Sequence, residues 1–387
     1  MRLYAPTTTT TMLFSALDVD IRPGYGLGIF RLGASLWTIL DLLRTHKHTF
    51  PQVDVQYDAD SSTTPVILHI RPHFDLLFSG THQRLHTIAV RCLRDPNPPL
   101  TLRYKGNILS SPDKDLRRVN VNLAFGPTYP GEDLRYPGVR FCFDNEGLRD
   151  KVKEHDDRSQ EVVRLLITQT EPSDGEIDAL SEVRVSPIMY GELAEVIAKV
   201  HDGVVLRFFP TSSQPVHVRL GVTTAQDLLS DLGPPLRTFY KEDDRMAIHA
   251  RSHNEDESSD VSYFYNYFQH GIDFLISDHT HVVKKIILHS NVPGTPLFQR
   301  YKRCPWQIEG RPEDDEDDTP PRVKFDERAD RISHFLNPGE TPPSMLYDRT
   351  DDEEMLKLPN STTRLLGFDG VILEATQSAQ VVSVTLF

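Results

Sequence analysis

Cysteine is scarce: there are three in 387 residues, Cys92, Cys142 and Cys304, far apart along the chain. That spacing supports neither a disulfide framework nor a zinc-binding set, and it fits a reducing compartment. Long apolar runs are missing, since no stretch approaches the roughly 18 residues a membrane-spanning helix requires. Basic residues are outnumbered, 42 Lys and Arg against 56 Asp and Glu, for a formal net charge of −14. An acid excess of that size argues against a dedicated nucleic-acid binder, which needs a basic face, and against non-specific adhesion to anionic lipid. Neither a nucleophile elbow nor a Walker-type phosphate loop occurs. What remains is an ordinary globular composition, 38% apolar and 25% charged, in a chain long enough for two to three domain equivalents. The first twelve residues, MRLYAPTTTTTM, lack an apolar signal core and read as a disordered leader over 1–12. The expected class is a soluble intracellular protein.

Four segments carry helical periodicity. Ser35 to His46 has Leu36, Ile39, Leu40 and Leu43 on one face. Ser111 to Phe125 has Pro112 at a first-turn position and Leu116, Val119 and Leu123 inward. Thr223 to Leu232 repeats the pattern with Ala225, Leu228, Leu229 and Leu232, and its Thr223-x-x-Gln226 start has capping-box form. Asp326 to Leu336 carries Ala329, Ile332 and Leu336. Three of them end alike, at Phe125-Gly126-Pro127, Leu232-Gly233-Pro234 and Leu336-Asn337-Pro338. An apolar residue, then Gly or Asn able to take a positive φ, then a proline that cannot continue, is a physical stop. The regular spacing of these stops suggests duplication.

Strand-like segments point the same way. Phe74-Asp-Leu-Leu-Phe-Ser79 matches Ile272-Asp-Phe-Leu-Ile-Ser277 without a gap, at an offset of 198. Each precedes a polar turn and a second strand, Leu85 to Val90 or Val282 to His289. Gly370 to Ala375 with Val381 to Phe387, and Gly138 to Asp144 with Val162 to Thr168, supply a third and a fourth version. The implied fold is α+β: tandem helix-strand-strand-strand units forming antiparallel sheets covered by helices. The expected division is an N-terminal module over 13–180 with two such units, a central module over 181–310, an acidic loop over 311–322 and a C-terminal unit over 323–387. Residues 191–201 fit a helix and a strand equally. The six acids from Glu313 to Asp318 should repel one another and stay solvated.

Candidate chemistry is thin. Gly24-Tyr-Gly26-Leu-Gly28 is followed by Ile29-Phe-Arg-Leu32 rather than by a helix, so it reads as a turn. His279-Thr-His281 offers two imidazoles but no third metal ligand and reads as a hairpin turn. Asp75 and Asp273 hold matching strand positions, and with nearby histidines they form the only case for a hydrolase; duplication copies structural positions as readily. Tyr263-Phe-Tyr-Asn-Tyr-Phe268 could stack on bases, but an acidic loop precedes it. Lys284-Lys285, with Arg300 and Lys302-Arg303 nearby in sequence, is the clearest basic cluster; it could meet a phosphate or an acidic partner, though a solvated strand face is the commoner origin. No metal and no cofactor are expected.

Gly126-Pro-Thr-Tyr-Pro-Gly131 followed by Pro137-Gly-Val-Arg-Phe-Cys-Phe143 resembles the central signature of the phagosome assembly factor family. Phe239-Tyr-Lys-Glu-Asp-Asp-Arg-Met-Ala-Ile-His249, and Tyr265 to Asp273 continuing through His281 to Pro293-Gly294, resemble its second. Tyr301-Lys-Arg-Cys304 and Val381 to Leu386 fit as well, so the resemblance spans about 13–387. It implies a non-enzymatic cytosolic adaptor that partners a β-propeller protein of the breast carcinoma amplified sequence 3 type. Recruitment to the phagophore in autophagy, with phosphoinositide contact largely through the propeller, follows from the same resemblance. A vesicle-trafficking or Golgi-associated binding protein is the alternative. Partner or lipid contact is expected at Tyr129, Lys284, Lys285 and Arg303, because stiff turns and strand edges lose little entropy on docking. Gly126, Pro127, Gly131, Gly233, Pro234 and Asp273 are expected to be structural.

Overall fold

The computed structural model describes residues 16–128, 131–143, 160–170, 182–240, 262–310, 320–339, 341–348 and 362–387. Period-two burial builds its strands. In Val66–Ile70 and Phe74–Phe78 the first, third and fifth residues are buried and the other two are not. In the first half these strands belong to a seven-stranded sheet. Its spatial order is Leu134–Tyr136, Val139–Phe143, Val162–Ile167, Leu85–Val90, Phe74–Phe78, Val66–Ile70, Val53–Gln56. A five-stranded sheet, Phe30–Arg31, Gly26–Leu27, Leu17–Arg22, Leu100–Tyr104, Asn107–Ser110, shares one hydrophobic core with it. Phe30 of the smaller sheet meets Phe74 of the larger edge to face, ring centroids 6.2 Å apart.

The second half repeats this plan. Its five-stranded sheet runs Val216–Arg219, Gly203–Phe208, Leu193–Lys199, Trp306–Glu309, Arg322–Lys324. Its larger sheet has eight strands: Arg237–Tyr240, Ser262–Tyr267, Ile272–Ser277, Val283–His289, Val381–Leu386, Val371–Ala375, Thr362–Phe368, Ser344–Asp348. Neighbours are antiparallel apart from one parallel pair in each smaller sheet, Leu17–Asp20 beside Leu100–Arg103 and Val196–Lys199 beside Trp306–Glu309. The matched segments 74–79 and 272–277 thus lie in equivalent strands.

The helix-covered α+β class is overturned. Strands take 45% of the residues and helices 12%. The four helices, Leu36–Thr45, Arg118–Phe125, Ala225–Leu232 and Ala329–Leu336, have eight to ten residues each. Helices so short cannot cover sheets of five to eight strands, and the apolar faces pack sheet against sheet instead. The missing strands lie before each helix, where short β-segments have no helix-like period to mark them. Residues 191–201, which fitted both patterns, form the strand Leu193–Lys199.

Two helix starts also differ from expectation. The second begins at Arg118, because Pro112 sits in a turn closed between Ser111 and Lys114 rather than in a first helical turn. The later start changes which face is inward: Val121 is buried while Val119 and Leu123 are exposed. The third is capped by Thr224, not Thr223. Thr224 Oγ1 accepts from the Asp227 amide at 3.2 Å, and Asp227 Oδ2 accepts from the Thr224 amide at 2.9 Å. Thr223 Oγ1 instead accepts from the Arg219 amide at 2.8 Å.

Each helix is pinned to its sheet in the same way. The residues just before the helices, Ser35, Arg117, Thr224 and Arg328, bridge Arg84, Glu161, Val282 and Gln380, each one residue before a strand. The first helical amides of Leu36, Arg118, Ala225 and Ala329 donate to the carbonyls of Gln83, Gln160, His281 and Ala379. Those acceptors lie outside the helix and satisfy orphan amides. A bulge follows the fourth residue of the preceding strand in every unit: Leu77/Phe78, Cys142/Phe143, Leu275/Ile276 and Glu374/Ala375.

Candidate functional site

The inner face of the eight-stranded sheet carries the second-half core, including Tyr267, Phe274, Ile286, Leu288, Leu373 and Val384. The alternate residues point to the other face, which forms one wall of a cavity of about 490 Å³. Register places Arg237 beside Asn266, Asn266 beside Asp273, His289 beside Ser383, and Ser383 beside Glu374. A polar row therefore crosses the sheet, bordered by Phe239, Phe264, Leu365 and Tyr347. The segment after the Val283–His289 strand closes one side with Leu297, Arg300 and Tyr301.

Within that row Asp273 accepts three hydrogen bonds: from Asn266 Nδ2 at 2.8 Å, His289 Nε2 at 2.9 Å and the Tyr301 hydroxyl at 2.7 Å. The Tyr301 ring stacks on His289 at 3.7 Å. With Nε2 committed to Asp273, the buried Nδ1 of His289 has no hydrogen-bond partner. Glu374 accepts from Thr363 Oγ1 at 2.9 Å and from Ser383 Oγ at 2.8 Å. An Asp-His pair next to a serine could be a hydrolytic constellation. Here, however, the Ser383 hydroxyl is given to Glu374 rather than to His289.

Asp75, the copy of Asp273, has its own partners: His69 Nδ1 at 2.6 Å and Arg91 at 2.9 Å. The two carboxylates share no partner and lie on the larger sheets of different halves. His279 and His281 fall in the hairpin turn between 277 and 283; His281 takes φ +53 and meets the Tyr263 hydroxyl at 3.2 Å. Among the described residues no group of His, Cys, Asp and Glu could hold a metal ion. No helix among them is long and apolar enough to cross a membrane.

The expected contact residues do not form one surface. Lys285 is exposed, with its ammonium over the Phe387 ring, and Lys284 is half-buried. Arg303 is buried. Its guanidinium donates to the carbonyls of Gly80 (2.7 Å) and Thr81 (2.9 Å) in the first half and Ser290 (2.8 Å) in the second. Burial pulls its pKa down to about 10, against the attraction of Asp326 and Glu182. Around it the halves are joined twice more. Gln83 and Asn291 exchange side-chain contacts, Asn291 Nδ2 donating to Gln83 Oε1 at 2.8 Å and Gln83 Nε2 to the Asn291 carbonyl at 3.1 Å. Glu192 takes Lys302 at 2.7 Å and also pairs with Arg84. Burial works to raise Glu192, but those two cations hold its carboxyl below the usual range. Burial likewise pulls Lys302 down to about 8.

Tyr129 and the acids Glu313 to Asp318 lie outside the described residues. Gly126 and Gly233 end their helices with φ +91 and +77, each followed by the expected proline. Asn337 ends its helix at φ −146 instead, and the positive φ falls two residues later at Gly339. Gly131 is exposed.

Arg237, which sequence reasoning did not single out, and Arg300, which it placed in the basic cluster, line the same cavity. Arg300 also lines a second one, of about 510 Å³, with Trp37, Arg44, Leu236 and Phe298. The two cavities share Arg300 and are together termed the groove, one part beside the first helix and the other on the open sheet face. Nothing local in the sequence separates these arginines from others; their shared trait, the lack of a carboxylate partner among the described residues, is a property of three-dimensional packing.

Comparison with known proteins gives a consistent result. No solved structure matches the chain. A PHAF1 protein of Arabidopsis thaliana is 27% identical over 394 residues, covering 95% of this chain and 92% of its own. One of Caenorhabditis elegans is 25% identical, covering 92% and 90%, and one of Drosophila melanogaster is 26% identical, covering 96% and 94%. The family model for phagosome assembly factor 1 matches residues 26–387, and the chain belongs to that family.

Proposed function

We propose that this chain is a non-enzymatic adaptor or scaffold subunit that joins a β-propeller protein of the breast carcinoma amplified sequence 3 type and is recruited with it to the phagophore. The observation that carries the reading is the phagosome assembly factor 1 match over residues 26–387. The geometry is compatible with it. Both duplicated carboxylates, Asp75 and Asp273, are held by local donors, and the histidines beside them pair with those carboxylates, His69 also with Gln56. Broad sheet faces and bare edge strands suit protein docking. Phosphoinositide contact belongs to the propeller in this reading. The test is co-precipitation of the tagged full chain with the propeller protein, together with its distribution in fed and starved cells. Starvation-dependent puncta that vanish when the propeller protein is removed are expected. A chain that stays diffuse on starvation and fails to co-precipitate would refute the proposal.

A further inference from the structure

The duplication supplies its own control for the sheet edges. In the first half the edge strand Val53–Gln56 alternates half-buried and exposed residues, and Val53 and Val55 pack against the core. Its counterpart in the second half, Arg237–Tyr240, is exposed at every position. Phe239 is 45% and Tyr240 60% accessible. An exposed edge strand offers a row of unpaired amides and carbonyls, and natural proteins usually guard such edges with lysine, proline or burial. Within Arg237–Tyr240 there is no lysine, proline or buried residue.

The second observation concerns charge. Most described arginines are neutralised: Arg71 by Asp54, Arg91 by Asp75, Arg103 by Asp18, Arg140 by Asp133, Arg322 by Glu309. Arg237 and Arg300 are not. Both are exposed, both line the groove, and each guanidinium rests over a ring, Arg237 over Phe239 at 5.2 Å and Arg300 over Phe268 at 5.5 Å. In a chain of net charge −14, two arginines that no carboxylate of the described residues pairs, beside an exposed strand edge, complement an acidic ligand.

We propose that Arg237–Tyr240 accepts an extended segment of a partner protein as an added strand, one whose acidic residue lies two positions from an aromatic or aliphatic one. The spacing follows from the period of two. Arg237 and Phe239 point to the same face, so a paired strand opposes them with residues two apart. The acid meets Arg237 and Arg300, and the apolar residue packs on Phe239 and Phe264. This deepens the adaptor reading, and rests on it, by naming the surface and the chemistry of what it holds.

The probe is a fluorescein-labelled peptide, Ser-Glu-Thr-Phe-Thr-Glu-Thr-Phe-Ser, titrated with the purified full chain and followed by anisotropy. The control replaces both glutamates by lysine. Saturable binding of the glutamate peptide, at least tenfold tighter than the lysine peptide, is expected. The double variant Arg237→Glu, Arg300→Glu should invert that preference with an unchanged melting temperature, since both side chains are exposed. N-methylation of alternate peptide residues should abolish binding in one of its two phases. Equal affinity for both peptides, or an unaltered preference in the double variant, overturns the charge assignment; binding that survives both N-methylated phases overturns strand addition. Arginine-dependent sedimentation with phosphatidylserine vesicles, without peptide binding, would overturn the protein ligand in favour of lipid. Peptide binding without propeller co-precipitation faults only the propeller partner. Co-precipitation without peptide binding faults only this site.

Discussion

Replacing Arg303 by methionine keeps most of the side-chain volume and removes the fork that ties the halves together. Three donated bonds of 2.7, 2.8 and 2.9 Å disappear, to Gly80, Ser290 and Thr81. Hydrogen bonds to charged groups contribute roughly 1.5–3 kcal/mol each, but relief of the buried guanidinium's desolvation offsets part of that sum. With that offset, the net loss is about 3–5 kcal/mol. For folding units of this size, with each kcal/mol worth roughly 2–4 °C, the melting temperature should fall by about 10 °C. Differential scanning calorimetry on the full chain reads it directly. Arg303→Lys should recover only a minor part, since an ammonium cannot reproduce the planar fork that reaches these three carbonyls at once. A methionine variant melting within about 2 °C of the parent would refute the clamp. It would also mean that a binding defect on charge reversal at Arg303 reports a surface contact, whereas the clamp attributes such a defect to lost structure.

Three further outcomes test the fold. Gly271→Ala should be severely destabilising in thermal melts, because its Cβ would stand 2.1 Å from the Lys302 carbonyl oxygen at φ +70; unchanged melting would show that the 302–304 backbone can withdraw. Gly233 has open space around it, so Gly233→Val should cost only the backbone strain of φ +77, ψ −171, about 1–3 kcal/mol by denaturant titration. No loss there would remove the conformational argument for that helix stop. Burial, aided by Lys302, lowers His270 to about 4 from 6.5, so between those pH values the unfolded chain binds more protons and stability falls as pH drops. His270→Gln should flatten urea midpoints across that window, and an equally steep acid limb in the variant would exclude His270 as its source.

Periodicity in single elements was legible in the sequence; assembly was not. Leu36, Ile39, Leu40 and Leu43 mark a helix because one apolar stripe must be buried, and all four are. The ungapped copy at 74–79 and 272–277 exposed the duplication, since equivalent strands face equivalent cores. Ahead of the first helix, Gly26–Leu27 and Phe30–Arg31 escaped notice because they have only two residues each, too few to show alternation. Arg303 looked like part of a basic patch since Lys302 and Lys284-Lys285 stand near it in sequence. Its burial depends on carbonyls more than 200 residues away, at Gly80 and Thr81. Arg237 escaped for the reciprocal reason: an absent partner leaves no mark on local sequence.

The joint between the halves also governs anything that lies across them. Trp37 donates its indole N–H to the Arg300 carbonyl at 3.1 Å, and Tyr57 meets Phe298 at 5.6 Å, so one wall of the groove comes from each copy of the duplicated fold. With Arg303 and the Gln83–Asn291 pair holding both copies in register, those walls are set before any ligand arrives. A segment docking there orders itself without also having to order the protein, which spares part of the entropic penalty of association. The clamp is thereby a distant determinant of affinity. A substitution at Gln83, in the first half, should weaken peptide binding in the anisotropy titration by letting the two walls drift apart, although Gln83 itself lines neither cavity.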